Sequence, residues 1–400
     1  MNALEEFARI AARHERCFWL DGGGSQSWSG SRSIVGRLEE DDVSLVYDRS
    51  TGSVLELPSG RVVGNDVFAA LQERLDGDPA THWVGYFGYA ARPDLPARSL
   101  RGVPDAIWMR ARDVQVIEGP ASAVGVQVES VGAPVPTWYA SAFDRVQEHL
   151  RAGNSYEVNL TYRDEHRSDR EPLEIYTSLR STNPAPYAGV LRHGDTWLLS
   201  ASPERFATID RNRQLEARPI KGTTRRGADA VEDAALRELL ATDPKFRAEN
   251  LMITDLLRND LSQVCEPGTV AVPQLMEVES YASVHQLVST VTGRLREDVG
   301  TVDALRALFP AGSMTGAPKL RTMQIIDEVE SSARGVYAGA FGWISGDGRA
   351  DLGVVIRSLF RSGASPWRLG TGGGITVRSD VEEEWAETLW KAARLRAALS

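Results

Sequence analysis

The chain has 400 residues, of which 42% are hydrophobic and 25% are charged, and its formal net charge is −10. This composition is that of a globular protein and excludes fibrous and disordered classes, while the acidic balance argues against binding to nucleic acid. Cys17 and Cys265 are the only cysteines, and no secretory signal or apolar run of membrane-spanning length is visible. We therefore predict a cytoplasmic protein that does not associate with membranes.

Residues 1 to about 135 alternate strand-like runs with clusters of turn residues. The clearest strand-like runs are Ser44–Tyr47, Trp83–Tyr89 and Ala123–Val128. A proline-containing segment at residues 132–136 follows, and it predicts either a loop or a hinge between subdomains. We expect residues 1–135 to form an N-terminal subdomain within the same globular unit as residues 136–400, which contain the candidate site residues.

Helical and strand-like periodicities alternate irregularly after residue 136. Apolar residues at helical spacing predict helices over Thr137–Ala152, Ala228–Thr242, Lys245–Leu261 and Val381–Leu399. Strands are predicted over Glu157–Tyr162, Trp197–Ser200 and Val284–Leu295. Because the strands do not follow a strict strand-helix-strand order, we predict an α+β fold in which layered mixed or antiparallel sheets are flanked by helices.

Acidic side chains occupy three positions where the surrounding pattern favours an apolar or neutral residue. Glu249 faces the same side of its helix as the apolar stripe, so it points inward unless it is simply a first-turn acid favoured by the helix dipole. Glu384 and Glu387 lie three residues apart on the last helix, where like charges are tolerated on a solvated face or beside a divalent cation such as Mg²⁺. Glu204 ends an apolar strand and is a candidate proton donor.

Two basic side chains and one histidine each allow two interpretations. Lys221 ends an apolar stretch beside a glycine turn, where it is either an inert surface lysine or, once desolvated and neutral, a nucleophile. Arg357 interrupts an apolar run and requires an anionic partner, either a ligand carboxylate or a buried acid. His285 lies in a strand pattern and fits a structural or an active histidine equally.

Glycine-containing segments allow backbone amides to approach an anionic group closely. The candidates are Gly222 with Thr223, and the run Gly372, Gly373 and Gly374. The second segment precedes an acidic helix start, and the Phe309–Lys319 loop lacks the spacing of a phosphate-binding loop. We therefore predict a carboxylate ligand and reject a nucleotide.

Seven strings in one consistent order resemble the chorismate-utilising enzymes, the family of anthranilate, aminodeoxychorismate, isochorismate and salicylate synthases. They are Gly153–Thr161, Ser202–Phe206, Pro219–Thr223, Ala248–Met252, Gly312–Lys319, Val355–Ser358 and Glu384–Thr388. The resemblance implies a single α/β sandwich of two large antiparallel sheets. It also implies a buried site, built within residues 136–400, that binds chorismate with one Mg²⁺.

The family also implies roles for the acidic and anion-binding residues. Glu249 and Glu387 would ligate Mg²⁺, with Glu384 acting through water, and Glu204 would be the general acid for the hydroxyl at ring carbon 4. His285 resembles the active-site histidine near that leaving group. The substrate-binding residues would be Gly222, Thr223, Gly372, Gly373 and Gly374 for the ring carboxylate, Arg357 with Ser313 for the enolpyruvyl carboxylate, and Trp343, which stands where anthranilate synthases have tyrosine.

Within the family, Lys221 favours the branch that makes 4-amino-4-deoxychorismate for 4-aminobenzoate and folate synthesis, because other members usually carry alanine there. Lys221 would attack ring carbon 2, and ammonia would then attack carbon 4 and expel the lysine. Water-adding members place a lysine base where this chain has Glu157, to which the resemblance assigns no role.

Two alternatives and one partner complete the sequence predictions. The alternatives are an anthranilate synthase large subunit and a non-catalytic chorismate-binding regulatory subunit. Neither cysteine lies in a nucleophile turn with a downstream histidine-acid pair, so no glutaminase is apparent in the chain. We therefore expect ammonia to come from a glutamine amidotransferase subunit in a heterodimer, with free ammonium as a substitute in vitro.

Overall fold

The computed structural model describes residues 2–22, 32–118, 132–281 and 284–400. The strand-like run predicted over Ala123–Val128 lies outside these ranges. The described helices are α1 (Ala3–Ala11), α2 (Val67–Asp76), α3 (Thr137–Arg151), α4 (Pro172–Thr182), α5 (Ala230–Thr242), α6 (Pro244–Ser262), α7 (Thr301–Leu308), α8 (Lys319–Val329) and α9 (Val381–Leu399), with a 3-10 turn at Gly312–Met314.

The described strands form two sheets. They are β1 (Arg16–Asp21), β2 (Arg32–Arg37), β3 (Ser44–Asp48), β4 (Ser53–Leu57), β5 (Arg61–Gly64), β6 (His82–Phe87), β7 (Ala106–Ala111), β8 (Asp113–Glu118), β9 (Glu157–His166), β10 (Tyr187–His193), β11 (Thr196–Ser202), β12 (Arg205–Ile209), β13 (Gln214–Arg218), β14 (Ile220–Arg225), β15 (Ala271–Ser280), β16 (Val284–Arg294), β17 (Gly316–Ala317), β18 (Ala340–Ser345), β19 (Ala350–Val354), β20 (Ser358–Ser362) and β21 (Trp367–Ile375).

The first sheet has the order β17-β9-β21-β20-β11-β10-β1-β2-β8, and the second has the order β14-β16-β13-β12-β19-β18-β6-β7-β3-β4-β5 with β15 paired to β16. Neighbouring strands pair antiparallel throughout the described residues. Strands from before and after residue 135 join both sheets, and the boundary at 135 stays a prediction. The predicted α+β fold with two large antiparallel sheets is confirmed.

Local sequence explains why α6 and α9 begin where they do. Asp243 accepts hydrogen bonds from two backbone amides at the start of α6, and Pro244 fills the first turn, where its missing N–H has no partner to lose. Asp380 caps α9 in the same way. The predicted helices at Lys245–Leu261 and Val381–Leu399 therefore agree with the structure within one residue at each end.

Three apolar clusters hold the sheets and helices together. The largest cluster contains side chains from both sheets and from α2, α6 and α7, including Phe87, Trp108, Leu305 and Phe309. A second cluster packs α1, α4 and α9 on the first sheet, and a third packs α3 and α8 beside β9 and β21. Among the helices of the described segments, none has the length and apolar character needed to cross a bilayer.

Candidate active site

One cavity is lined by residues of both sheets together with α6 and α9. Its empty space, including the open solvent at its mouth, is about 980 Å³. The structure brings together in its lining most of the residues predicted from sequence, namely Glu204, Lys221, Gly222, Thr223, Glu249, Ser313, Arg357, Gly372, Gly373, Gly374, Glu384 and Glu387.

Lys221 enters this cavity from β14 of the second sheet. Its Nζ donates a hydrogen bond to Oε1 of Glu157, which lies at the start of β9 in the first sheet, so the ion pair joins the two sheets. Burial lowers the pKa of Lys221, but the carboxylates of Glu157, Glu249 and Glu204 outweigh it, and the net pKa is raised. In this arrangement Lys221 rests as an ammonium.

The backbone next to Lys221 explains the glycine that follows it. Gly222 has a φ of 90°, a left-handed conformation that side chains rarely adopt. A Cβ at this position would also lie 3.0 Å from the Leu240 Cδ1 atom and 3.2 Å from the Phe246 Cβ atom. Glycine therefore lets β14 turn against α5 and α6 while Lys221 stays in the cavity.

Glu204 lies between β11 and β12, where the chain crosses from the first sheet to the second. Its side chain is buried, and Oε1 accepts a hydrogen bond of 2.6 Å from the hydroxyl of Ser313. Burial raises the pKa of Glu204 to about 7 even though the Ser313 hydrogen bond opposes the shift. Glu204 can therefore hold a proton near neutral pH and deliver it inside the cavity.

Three further carboxylates, Glu249 on α6 with Glu384 and Glu387 on α9, line the same cavity. In the described part of the chain no three His, Cys, Asp or Glu side chains are arranged to hold a metal ion. Instead, Lys245 Nζ lies 3.2 Å from Glu384 Oε1, and Lys391 Nζ lies 2.5 Å from Glu387 Oε1. The two lysines balance the charge that a cation would otherwise neutralise.

The donor set nevertheless fits Mg²⁺, which favours carboxylate oxygens. Glu249 Oε1 is buried and has no hydrogen-bond partner among the described residues, and burial raises the pKa of this carboxyl to about 7. Gly373 leaves space beside the other two carboxylates, since a Cβ there would lie 2.9 Å from Glu384 Oε2 and 3.7 Å from Glu387 Oε1. Release of Lys245 and Lys391 would free both acids as ligands.

Arg357, which lies between β19 and β20, also lines the cavity and supplies positive charge there. Its φ of 48° is left-handed, which costs a non-glycine residue roughly 1–2 kcal/mol. Burial and the nearby Arg394 lower the pKa of Arg357 to about 10. Within the described ranges, no hydrogen bond or ion pair joins its guanidinium to an acid. Of the two partners left open by the sequence, the structure therefore favours a ligand carboxylate.

His285 does not line the cavity, contrary to the sequence prediction. Its Nδ1 lies 2.8 Å from the Ser280 hydroxyl and its Nε2 lies 3.1 Å from Asp233 Oδ1 on α5. The next residue on β16, Gln286, lines the cavity instead. Because successive side chains of a strand point to opposite faces, an error of one position transfers the prediction to the wrong face.

Trp343 is also absent from the lining of this cavity. It lies on β18 and borders a different depression together with Asp21, Tyr187 and Asp351. Arg349 stacks over its ring with the guanidinium carbon 5.7 Å from the ring centroid. Among the described residues, the aromatic side chains that do line the Lys221 cavity are Phe246 and Tyr337, neither of which the sequence singled out.

Lysine usage is the signal that could have revealed two further cavity residues. Of 45 Lys and Arg residues, only four are lysines. Lys221, Lys245 and Lys391 line the cavity, and the fourth, Lys319, forms a 2.7 Å ion pair with Asp260. Where arginine supplies nearly all positive charge, the remaining lysines mark sites that need a compact amine able to lose its proton.

A buried ionic network supports the strand and the loop that carry Asn159 and Ser313. Glu330 accepts hydrogen bonds from Arg334 at 2.7 Å and from Arg163 at 2.6 Å. Arg334 in turn donates to the carbonyl oxygens of Asn159 at 2.8 Å and Met314 at 2.6 Å. The network therefore ties β9 to the loop that places Ser313 beside Glu204.

We expect Glu330→Gln to lower the free energy of unfolding by about 3–5 kcal/mol, because it leaves two buried guanidinium groups without their anion. Urea unfolding followed by circular dichroism measures the change. Glu165→Gln is the matched control, since Glu165 is half exposed and pairs with Arg368 at the surface, where loss of the pair costs less than about 1 kcal/mol. Equal losses in the two variants would contradict the role of the network.

Comparisons with known proteins show which family this chain resembles. The family model for a chorismate binding enzyme matches residues 127–397. A relative named aminodeoxychorismate synthase from Streptomyces griseus is 52% identical over 257 residues, which cover 64% of this chain and 35% of that protein. Another, aminodeoxychorismate synthase component 1 from Escherichia coli strain K12, is 42% identical over 257 residues, which cover 64% of this chain and 56% of that protein.

Solved structures extend the similarity across the whole fold. Anthranilate synthase component I from Streptococcus pneumoniae TIGR4 superposes with a TM-score of 0.78 at 26% identity, covering 93% of both chains. The menaquinone-specific isochorismate synthase from Escherichia coli shares the fold with a TM-score of 0.72 at 20% identity, covering all of this chain and 92% of the other. Matches to the curated relatives span only about a third to just over half of their length. On the family match and the shared fold, the chain belongs to the chorismate binding enzymes.

Proposed function

We propose that this chain converts chorismate and ammonia to 4-amino-4-deoxychorismate, the precursor of 4-aminobenzoate. The observation that carries the proposal is the position of Lys221, whose Nζ lies in the same cavity as Glu204. An amine able to attack the ring and an acid able to protonate a leaving hydroxyl are the two groups that substitution at an allylic alcohol requires. The names of the relatives from Streptomyces griseus and Escherichia coli support the same reaction.

The two carboxylates of chorismate find complementary groups in the cavity. Arg357 suits the enolpyruvyl carboxylate because no protein acid pairs with it in the described ranges, and Ser313 lines the same cavity beside Glu204. The ring carboxylate would lie near Gly222, Thr223 and the Gly372–Gly374 segment. Mg²⁺ held by Glu249 and Glu387, with Glu384 acting through water, would neutralise this carboxylate when bound.

In the proposed reaction, the neutral amine of Lys221 forms a bond to ring carbon 2 as the hydroxyl leaves carbon 4. Glu204 donates its proton to that hydroxyl, which departs as water. Ammonia then attacks carbon 4, the bond between carbon 2 and the lysine nitrogen breaks, and the enolpyruvyl group stays on the ring. The new ammonium at carbon 4 returns one proton to the Glu204 carboxylate, which restores the acid. Lys221 stands against the anthranilate alternative, because its amine occupies the approach to carbon 2. A non-catalytic binder, in turn, has no use for both the acid and the amine.

The proposal also includes a partner protein. The name component 1 of the Escherichia coli relative implies a second component for that enzyme. We extend this to a glutamine amidotransferase subunit that supplies ammonia to the present chain. With ammonium chloride in place of the partner, the chain alone suffices for the reaction.

The test is to incubate the chain with chorismate, Mg²⁺ and ammonium chloride and to identify the product by mass spectrometry and NMR. We expect 4-amino-4-deoxychorismate as the main product, and EDTA in excess over Mg²⁺ should reduce its formation to background. Calcium in place of Mg²⁺ is a matched control for simple charge neutralisation. Anthranilate or isochorismate as the main product would refute the proposal. Binding of chorismate without any turnover would indicate the non-catalytic regulatory subunit.

A further inference from the structure

The Glu157–Lys221 ion pair is buried at the point where the two sheets meet. Only 10% of the Lys221 side chain and 1% of the Glu157 side chain are exposed. Gly374 on β21 packs directly against the pair, because a Cβ there would overlap Glu157 Oε1 and lie 2.9 Å from Lys221 Nζ. The contact is therefore fixed by backbone on three strands, β9, β14 and β21.

The second oxygen of Glu157 has no partner. Oε2 is buried and accepts no hydrogen bond from any residue in the described segments. Burying a carboxylate with one unsatisfied oxygen is costly in free energy. A protonated carboxyl carries no net charge, so its burial costs much less solvation free energy. Within the described segments, Oε2 of Glu157 is therefore an open acceptor position next to the Lys221 amine.

Lys221 cannot attack a ring carbon while it is an ammonium, so its proton must move to another group. Glu157 is the acid in hydrogen-bond contact with Nζ. The other charged groups that line the cavity are Glu204 at the sheet crossing, Lys245 and Glu249 on α6, Arg357 before β20, and Glu384, Glu387 and Lys391 on α9. Of these acids, Glu204 is needed as a proton donor, and the other three are the proposed metal site.

We propose that Glu157 is the proton acceptor of Lys221, so that the nucleophile reacts after passing its proton to the neighbouring carboxylate. This inference rests on the proposed function. Glu157 takes one proton from Lys221 before the bond to ring carbon 2 forms. When ammonia displaces the lysine, the amine departs neutral and regains that proton from Glu157, so the pair returns to its starting state.

The proposal makes a distinctive prediction for pH dependence. While the pair shares a single proton, the fraction present as neutral amine and neutral acid does not change with pH. The wild-type rate should therefore stay flat on the acidic side of the Glu204 ionisation. In Glu157→Gln the lysine must release its proton to water, so the rate should rise about tenfold per pH unit between about pH 5 and 7. Over these two pH units the rate of the variant should therefore change about 100-fold, while the wild-type rate stays flat.

A second measurement follows the amine without using turnover. Acetic anhydride labels neutral lysines, and peptide mass spectrometry can separate the four lysines of the chain. In Glu157→Gln the labelling of Lys221 should acquire a pH-dependent rise that coincides with the rise in rate, while the wild-type labelling of Lys221 stays flat. Lys319 lies outside the cavity lining and serves as the internal reference.

Glu157→Asp is the conservative variant. It retains a carboxylate one methylene shorter, so it should restore the flat profile at a reduced rate, and it also covers the case in which the glutamine variant does not fold. A Glu157→Gln profile parallel to that of the wild type, in rate and in labelling, would overturn the proposal. If wild-type protein makes no 4-amino-4-deoxychorismate, the proposed function fails instead, and the labelling profiles of Lys221 still report on the pair.

Discussion

Replacing Lys221 with alanine is expected to reduce formation of 4-amino-4-deoxychorismate by about 10⁴-fold or more, the scale seen when a covalent nucleophile is removed. In the proposed reaction this side chain supplies the atom that bonds to the ring, and no other lysine of the described cavity donates a hydrogen bond to Glu157. Steady-state rates with chorismate, Mg²⁺ and ammonium chloride measure the loss. The wild-type reaction, stopped with acid, should also show a peptide containing Lys221 that carries the mass of the ring adduct.

Lys221→Arg is the matched control, because it separates charge from nucleophilicity. Arginine keeps a positive charge beside Glu157 and stays protonated, so it preserves the ion pair while removing the reactive amine. We expect Lys221→Arg to unfold at nearly the wild-type urea concentration and yet to be as inactive as Lys221→Ala. Substantial turnover in either variant would show that the reaction does not pass through a lysine adduct.

Much of the site could be predicted from sequence because its residues violate local patterns. Glu249 stands out because it is an acid on the apolar face of a helix. Glu384 and Glu387 stand out because they place like charges three residues apart on α9. All three line the cavity. Helical periodicity also gave the limits of α6 and α9, since their caps and apolar stripes are local features.

The residues that the sequence misplaced depend on information that local patterns lack. Whether His285 or Gln286 faces the cavity depends on the face that β16 presents to α5 and α6, which is fixed by tertiary packing. Trp343 lies on β18, which is too far from β14 along the second sheet for its side chain to reach Lys221. The contact between Glu157 and Lys221 joins residues 64 positions apart on different sheets. Pairings of this kind appear only once the sheets are placed together.

Glu204 controls the expected pH dependence of the reaction. Burial raises the pKa of Glu204 to about 7, and in the proposed reaction only its protonated form can donate to the departing hydroxyl. The proton is therefore present below about pH 7 and lost as the pH rises, so kcat/KM at saturating Mg²⁺ should fall about tenfold per pH unit on the alkaline side. Glu204→Gln should lower the rate by about 10²–10⁴-fold and abolish this descending limb.

Ser313→Ala tests the assignment of that limb to Glu204. The Ser313 hydroxyl donates a 2.6 Å hydrogen bond to Glu204 Oε1, which favours the carboxylate and lowers the pKa of Glu204. Removing the hydroxyl should raise this pKa and move the descending limb to higher pH. KM for chorismate should rise as well, because Ser313 also lines the proposed carboxylate site. Two results would contradict this assignment: a descending limb that persists unchanged in Glu204→Gln, or one that moves to lower pH in Ser313→Ala. Either result would assign the ionisation to another group, and Glu204 would not be the proton donor.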